Sequence, residues 1–252
     1  MTQRCIIISG SSRGLGLALA KQLATENTLL VGISRRNNPE LAVLCHQSGT
    51  TYEHISADLA RAQGAEHATT ALQKLLTEPK YTELAHYWLI NNAGTVAPIA
   101  QSHQMQDPHA IAQALQLNIG SLMNLTATFL AHTPRRADRR ILNISSGAGR
   151  GAVPGWGVYG STKAAVDFFT QTLHIEQPQV RSVALAPGVV DTDMQADIRD
   201  TDAEQFPNRD RFIQLHTNQQ LVSATTTAEH IAHYLSNNDF GSKTIDDIRH
   251  YF

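Results

Sequence analysis

Cysteine is nearly absent from this chain of 252 residues: Cys5 and Cys45 are the only two, which excludes a disulfide framework and leaves free, buried thiols suited to a reducing compartment. Long hydrophobic runs are missing too. No stretch reaches the roughly 20 apolar residues of a membrane-spanning helix, and the apolar residues after Arg4 are too few for the core of a signal peptide. The expectation is a cytoplasmic protein without a membrane partner. A surplus of either charge is also lacking, since 20 Lys and Arg stand against 22 Asp and Glu, and this removes any general attraction to nucleic acid. The short pairs Arg135-Arg136 and Arg139-Arg140 read as a solvated loop. Twelve histidines are present, but His46, His54, His67, His86, His103, His109 and the rest show neither H-E-x-x-H nor a paired Cys/His spacing, so no metal site is expected.

What is present is enough apolar sequence, 42% of residues against 17% charged, to bury one substantial core in a single domain spanning 1–252. Apolar runs at 5–9, 28–33, 52–56, 87–91, 140–145 and 181–186 alternate with helical stretches near 14–25, 39–45, 63–76, 110–131, 156–176 and 227–236. A last strand is expected at 243–247. Repeated strand and helix in this order predict an α/β fold, a single doubly wound parallel sheet of the Rossmann type with helices on both faces. Ligands of such sheets bind beyond the carboxyl ends of the strands, and Gly10, Asp58, Asn91, Ser146 and Pro187 all fall there.

Two segments carry chemistry. After the first strand comes Ser9-Gly10-Ser11-Ser12-Arg13-Gly14-Leu15-Gly16, a glycine-rich turn opening a helix, where close backbone approach and unpaired N–H groups suit a pyrophosphate. Its G-x-x-x-G-x-G spacing departs from the common G-x-G-x-x-G, and a turn that only packs helix on strand fits it as well. Farther on, Tyr159-Gly160-Ser161-Thr162-Lys163 puts a phenol and an ammonium one helical turn apart, with Ser146 thirteen residues upstream. A neighbouring cation pulls a phenol down from its usual value of about 10, toward the range where general acid–base catalysis works best. Taken alone, Tyr-x-x-x-Lys also fits a solvated helix face.

Read in order, the motifs resemble the short-chain dehydrogenase/reductase family over nearly the whole chain. They are the glycine turn, Asp58 after the third strand, Asn91-Asn92-Ala93-Gly94, Asn118 in a helix, Ile144-Ser145-Ser146, Tyr159 with Lys163, and Pro187-Gly188 with Thr192. The resemblance implies that Tyr159 is the acid–base residue, that Ser146 orients a substrate carbonyl, that Lys163 holds the nicotinamide ribose and lowers the Tyr159 pKa, and that Asn118 supports a proton relay through water. It further implies that Asp58 and Leu59 bracket the adenine and that Thr192 contacts the nicotinamide amide. Ser12, Leu15, Asn92, Ala93, Gly94, Pro187, Gly188 and Val190 complete the implied cofactor contacts. Asp58 reads equally as a helix N-cap, and Asn118 as a helical side chain bonded to nearby backbone. A homo-oligomer is implied as well, a dimer through helices 110–131 and 156–176, with a tetramer as the alternative.

Within the family the segments 91–96, 145–149 and 187–194 look most like the benzil reductases and their sepiapterin-reductase-like relatives. Ketoacyl-carrier-protein reductases share the Pro-Gly-x-x-x-Thr-Asp-Met stretch but finish in a glycine-rich tail. This chain finishes Thr244-Ile245-Asp246-Asp247-Ile248-Arg249-His250-Tyr251-Phe252.

Cofactor choice is read at the end of the second strand, where an NAD site usually places an acid for the ribose 2′-hydroxyl. Here stands Ser34-Arg35-Arg36, and a guanidinium pairs with a 2′-phosphate instead, with Arg13 able to close from the glycine turn. NADP(H) is the expected cofactor, and ordinary solvated loop arginines are the competing reading. The substrate is expected to be a small, conjugated ketone or diketone reduced to a hydroxyl, in a pocket formed by Val96, Val153, Trp156 and Met194 under a cover at about 195–221 that carries Phe206, Phe212 and Leu215. The same apolar residues would also serve a core or a subunit interface. Competing functions are a ketoacyl or pteridine reductase and a dinucleotide-binding sensor without turnover. Intact Ser146, Tyr159, Lys163 and Asn118 favour the enzyme.

Overall fold

The computed structural model describes residues 3–252. Strands β1 (Arg4–Ser9), β2 (Thr28–Ser34), β3 (Thr51–Ser56), β4 (His86–Asn91), β5 (Asp138–Ile144), β6 (Arg181–Ala186) and, last in the chain, β9 (Ile245–Asp247) form one parallel sheet in the order β3-β2-β1-β4-β5-β6-β9. The order reverses between β1 and β4, the switch point at which such a sheet opens a crevice. The alternation in β1 shows why its run from Cys5 to Ile8 is apolar: Ile6 and Ile8 enter the core on one face, Cys5 and Ile7 the core on the other.

Helices α1 (Gly14–Leu23), α2 (Pro39–Gln47) and α9 (Ala224–Ser236) cover the first face, where Leu19, Leu23, Leu41 and Ile231 are buried. The second face is covered by α3 (Ala62–Leu76), α5 (Ser121–His132) and α6 (Gly157–Glu176), through Leu72, Leu76, Leu125, Phe129 and Leu173. Each such side chain contributes about 1.5–3 kcal/mol by leaving water. The doubly wound α/β fold is therefore the one expected.

Three details differ from the expectations. The helix expected at 110–131 is α4 (Pro108–Leu115), capped by Asp107, running through a π-helical turn at Gln116–Gly120 into α5. That wider turn carries Asn118. The segment at 195–221, whose helices the sequence left unassigned, contains most of α7 (Asp193–Asp200) and all of α8 (Arg209–Thr217), and a short parallel pair, β7 (Val190–Asp191) with β8 (Val222–Ser223), frames them. Arg139 and Arg140, expected on a solvated loop, are instead buried within β5, while Arg135 and Arg136 are exposed as expected. Arg140 tolerates burial because its Nε donates to Asp138 at 3.0 Å, its Nη1 donates to the carbonyls of Leu235 and Asn237, and its guanidinium packs over the Trp88 ring. Cys5 and Cys45 are free and buried, and burial pushes their thiols up to about 12 and about 11, out of the reactive range.

Candidate active site

The turn after β1 is shaped by backbone that only glycine adopts readily: Gly10 and Gly14 have φ of 72° and 54°. Gly16 is required for space. A Cβ there would lie 2.1 Å from the Gly10 carbonyl oxygen and 2.4 Å from the Asn92 amide nitrogen. The turn is stitched to the one after β4, because the Ser9 hydroxyl accepts from the backbone N–H of Asn92 and Ala93 while the Asn92 side chain donates to the carbonyls of Ser9 and Gly10. Asn38, the N-cap of α2, holds it from the other side by donating to the Ser12 carbonyl at 3.1 Å. No side chain caps the N-terminus of α1 and no acid stands in its first turn, so its N–H groups and dipole suit an anionic group such as a pyrophosphate. On this geometry Gly16→Ala is expected to displace the turn and weaken dinucleotide binding by at least about tenfold in a fluorescence titration, with the fold retained by circular dichroism.

A groove of about 780 Å³ runs from this turn along the carboxyl edge of the sheet. At one end it is lined by Ser34, Arg35, Asp58 and Leu59, with Arg36 exposed beside it but outside the lining. Asp58 accepts from the Ala60 N–H at 3.2 Å and lies 3.5 Å from the Arg61 guanidinium. Arg13 does not turn toward Arg35. Its Nη1 reaches instead across the groove to the Asp193 carboxylate at the start of α7, 2.9 Å away, with both side chains largely exposed. Gly188, at φ 77°, and Thr192, whose methyl group approaches Gly14, border the same crossing with Pro187 and Val190.

The other end of the groove brings together Ser146, Tyr159 and Lys163, with Asn118 behind them. The four are placed by three local causes: Ser146 follows β5, Tyr159 and Lys163 share a face of α6, and Asn118 is aimed by the π-helical turn. Burial pushes the Tyr159 phenol above its usual range, and the neighbouring Ser146 hydroxyl pulls the other way more weakly. The expected lowering by Lys163 is not what the geometry gives. The ammonium donates to the Ile144 carbonyl at 2.7 Å and stands 5.7 Å from the Tyr159 ring centre, while its own burial brings it down to about 8. Asn118 donates to the Thr95 carbonyl and the Thr162 hydroxyl and accepts from the Thr95 N–H, which commits both amide protons and leaves one acceptor position.

Beside Tyr159 lies an aromatic cluster. Trp156 meets the Tyr159 ring edge-on at 5.4 Å, stacks on Phe206 at 4.9 Å and tilts against Phe212, with Val96, Val153 and Met194 around them. Trp156, Val96, Val153, Met194 and Phe212 line the groove; Phe206 is fully buried behind it. Among the described residues no cluster of His, Cys, Asp and Glu could hold a metal ion, and no helix is long and apolar enough to cross a membrane.

The sequence profile for short chain dehydrogenases matches residues 4–203, which include the glycine turn, Ser146, Tyr159 and Lys163. The chain belongs to the short-chain dehydrogenase family. It is thereby an oxidoreductase of a family that works with a nicotinamide cofactor, and the glycine turn, bare α1 N-terminus and groove fit that group. It is 41% identical over 242 residues to a benzil reductase ((S)-benzoin forming) of Bacillus cereus, covering 94% of this chain and 96% of that one. A sepiapterin reductase of Meriones unguiculatus is 32% identical, with 94% and 92% covered. Among solved structures, the KRED1-Pglu enzyme superimposes with a TM-score of 0.81 at 27% identity, covering 95% of this chain and 99% of that one.

The sequence reading missed several groove residues of this dehydrogenase. Arg249 reaches the groove beside Gly188 from the C-terminal segment, held by a two-point ion pair with Asp247. The signal available was position, since Asp247 ends a strand at the same carboxyl edge. Gln195 and Arg211 line it from α7 and α8, and no sequence period marked those helices.

Proposed function

We propose that the protein is an NADPH-dependent carbonyl reductase that converts a small conjugated ketone or diketone, of the benzil kind, to the hydroxy compound. The observation that carries this reading is the meeting of the Tyr159 hydroxyl, the Ser146 hydroxyl and an aromatic wall at one end of the dinucleotide groove. Gly10, Ser12, Gly14, Leu15 and Gly16 would hold the pyrophosphate region, Arg35 and Arg36 the 2′-phosphate, and Asp58 with Leu59 the adenine. Asn92, Ala93, Gly94, Pro187, Gly188, Val190 and Thr192 would flank the nicotinamide half. Bound there, the cofactor supplies the hydride. Tyr159 gives its proton to the carbonyl oxygen as negative charge develops, and its raised pKa keeps that proton in place until then. Ser146 donates a hydrogen bond to the same oxygen. The Lys163 ammonium keeps two donors beyond the Ile144 bond, enough to hold a ribose diol, and Asn118 fixes the Thr95 backbone beside it. The segment at 195–221 closes over the substrate with Phe212 as its inner surface, and Trp156 supplies an apolar face for an aryl group.

A panel of diketones, pterins and ketoacyl thioesters, followed by NADPH absorbance, tests the reading. Highest kcat/KM on an aromatic diketone is the expected result. Turnover confined to pterins or thioesters overturns the substrate, and no turnover of any carbonyl overturns the enzyme.

The assembly is proposed to be a homodimer. Phe168 and Ile175, seven residues apart on one face of α6, are 70% and 79% exposed, and Leu115 and Met123 are exposed at and beyond the end of α4. Phe168→Asp with Ile175→Asp is expected to convert the dimer to a monomer by light scattering. A wild type already monomeric at micromolar concentration contradicts the proposal.

A further inference from the structure

Asp167 is a buried carboxylate that the chemistry above does not use. Its Oδ1 accepts from the Ser145 hydroxyl at 2.5 Å and its Oδ2 from the Arg150 Nε at 3.0 Å, so both oxygens are occupied away from water. Its place on α6 is what gives it meaning. Tyr159, Lys163 and Asp167 follow one another at intervals of four, a single stripe down the helix, and the three contact three successive residues at the end of β5. Lys163 donates to the Ile144 carbonyl, Asp167 accepts from Ser145, and Tyr159 meets Ser146. Arg150 carries the clamp farther by donating to the Asp246 carbonyl in β9 at 3.0 Å.

We propose that Asp167 is a positioning residue of this reductase: by fixing Ser145 it sets the Ser146 hydroxyl opposite Tyr159, and it places a carboxylate one helical turn from the Lys163 side chain. The proposal rests on the carbonyl reductase reading. The charged and titratable groups facing Lys163 are Tyr159 and Asp167 on its own helix. The turn after β5 contributes Arg150, paired to Asp167, and among the described residues the side toward β4 and the π-helical turn offers Gly94 and the uncharged Asn118. Burial opposes the ammonium and Asp167 supports it. A plain structural ion pair with Arg150 is the competing account, and it predicts no effect on Lys163.

The experiment compares Asp167→Asn, which keeps the shape and removes the charge, with Ser145→Ala, which keeps the charge and removes the hydroxyl. The chain has only five lysines, so carbon-13 labelling at lysine Cε resolves Lys163 by NMR, with Lys163→Arg giving the assignment. In the ligand-free protein, Asp167→Asn is expected to move the Lys163 titration below that of the wild type, and Ser145→Ala to leave it in place. In turnover, both variants are expected to lose about tenfold or more in kcat with little change in the KM for NADPH. Only Asp167→Asn should shift the alkaline limb of the pH profile, toward lower pH. Asp167→Glu should restore the Lys163 titration.

An unmoved Lys163 titration in Asp167→Asn, or an equal loss of kcat at every pH, overturns the proposal. If Asp167→Asn does not fold, Ser145→Ala decides: undiminished kcat overturns the positioning role, and a lower kcat at unchanged melting temperature supports it. The NMR arm needs no substrate. A wild type that reduces no carbonyl therefore sinks the function on its own, separately from the charge relation between Asp167 and Lys163.

Discussion

Tyr159→Phe is expected to lower ketone turnover by about 10²–10⁴-fold and to leave NADPH affinity within about twofold of the wild type, because it deletes the proton donor and retains the ring. The ring matters in its own right. Tyr159 packs edge-on against Trp156 within the aromatic cluster, and a Phe preserves that contact, so the loss reports chemistry rather than packing. Stopped-flow turnover beside a fluorescence titration of NADPH makes the measurement. Activity near the wild-type level would remove Tyr159 from its role, and a parallel loss of NADPH affinity would make it a binding residue.

The second large effect concerns cofactor choice. Arg35→Ala combined with Arg13→Ala is expected to reduce the ratio of kcat/KM for NADPH over NADH by about two orders of magnitude, since each charge-assisted phosphate contact contributes about 1.5–3 kcal/mol. Arg13 is engaged with Asp193 in the ligand-free fold, yet an exposed pair of that sort stabilises by only about 0–1 kcal/mol. A dianionic phosphate outcompetes it. Arg35→Ala alone should therefore cost about tenfold, and the further loss on adding Arg13→Ala measures how far Arg13 leaves Asp193. A wild type that prefers NADH, or a ratio unmoved by the double substitution, makes both arginines ordinary loop residues.

Much of this was legible in the sequence for a physical reason. Strands covered on both faces are largely apolar, so β1 and β2 stand out as runs, and a turn that brings backbone to backbone requires glycine at Gly10 and Gly16. Tyr159 and Lys163 were visible because four residues return a helix to the same face. Other features depend on distant partners. Arg140 looks solvated until the carbonyls of Leu235 and Asn237, almost a hundred residues on, arrive to receive its protons. Helices α7 and α8 are polar along most of their length and bury chiefly Ile198 and Phe212, which leaves no apolar period to read. The Tyr159 pKa turned on burial, a quantity fixed only once Trp156 and its neighbours close around the phenol.

The aromatic cluster of Trp156, Phe206 and Phe212 is separate from the apolar cores that hold the helices to the sheet. Changes at Phe212, Met194 or Val153 thus act on a region whose loosening leaves the main folding cores intact, and mutations there face a weaker stability constraint than mutations at Phe129 or Ile7. On the proposed function, a lineage can drift through new substrates by altering this end of the groove while the end at the glycine turn is inherited unchanged.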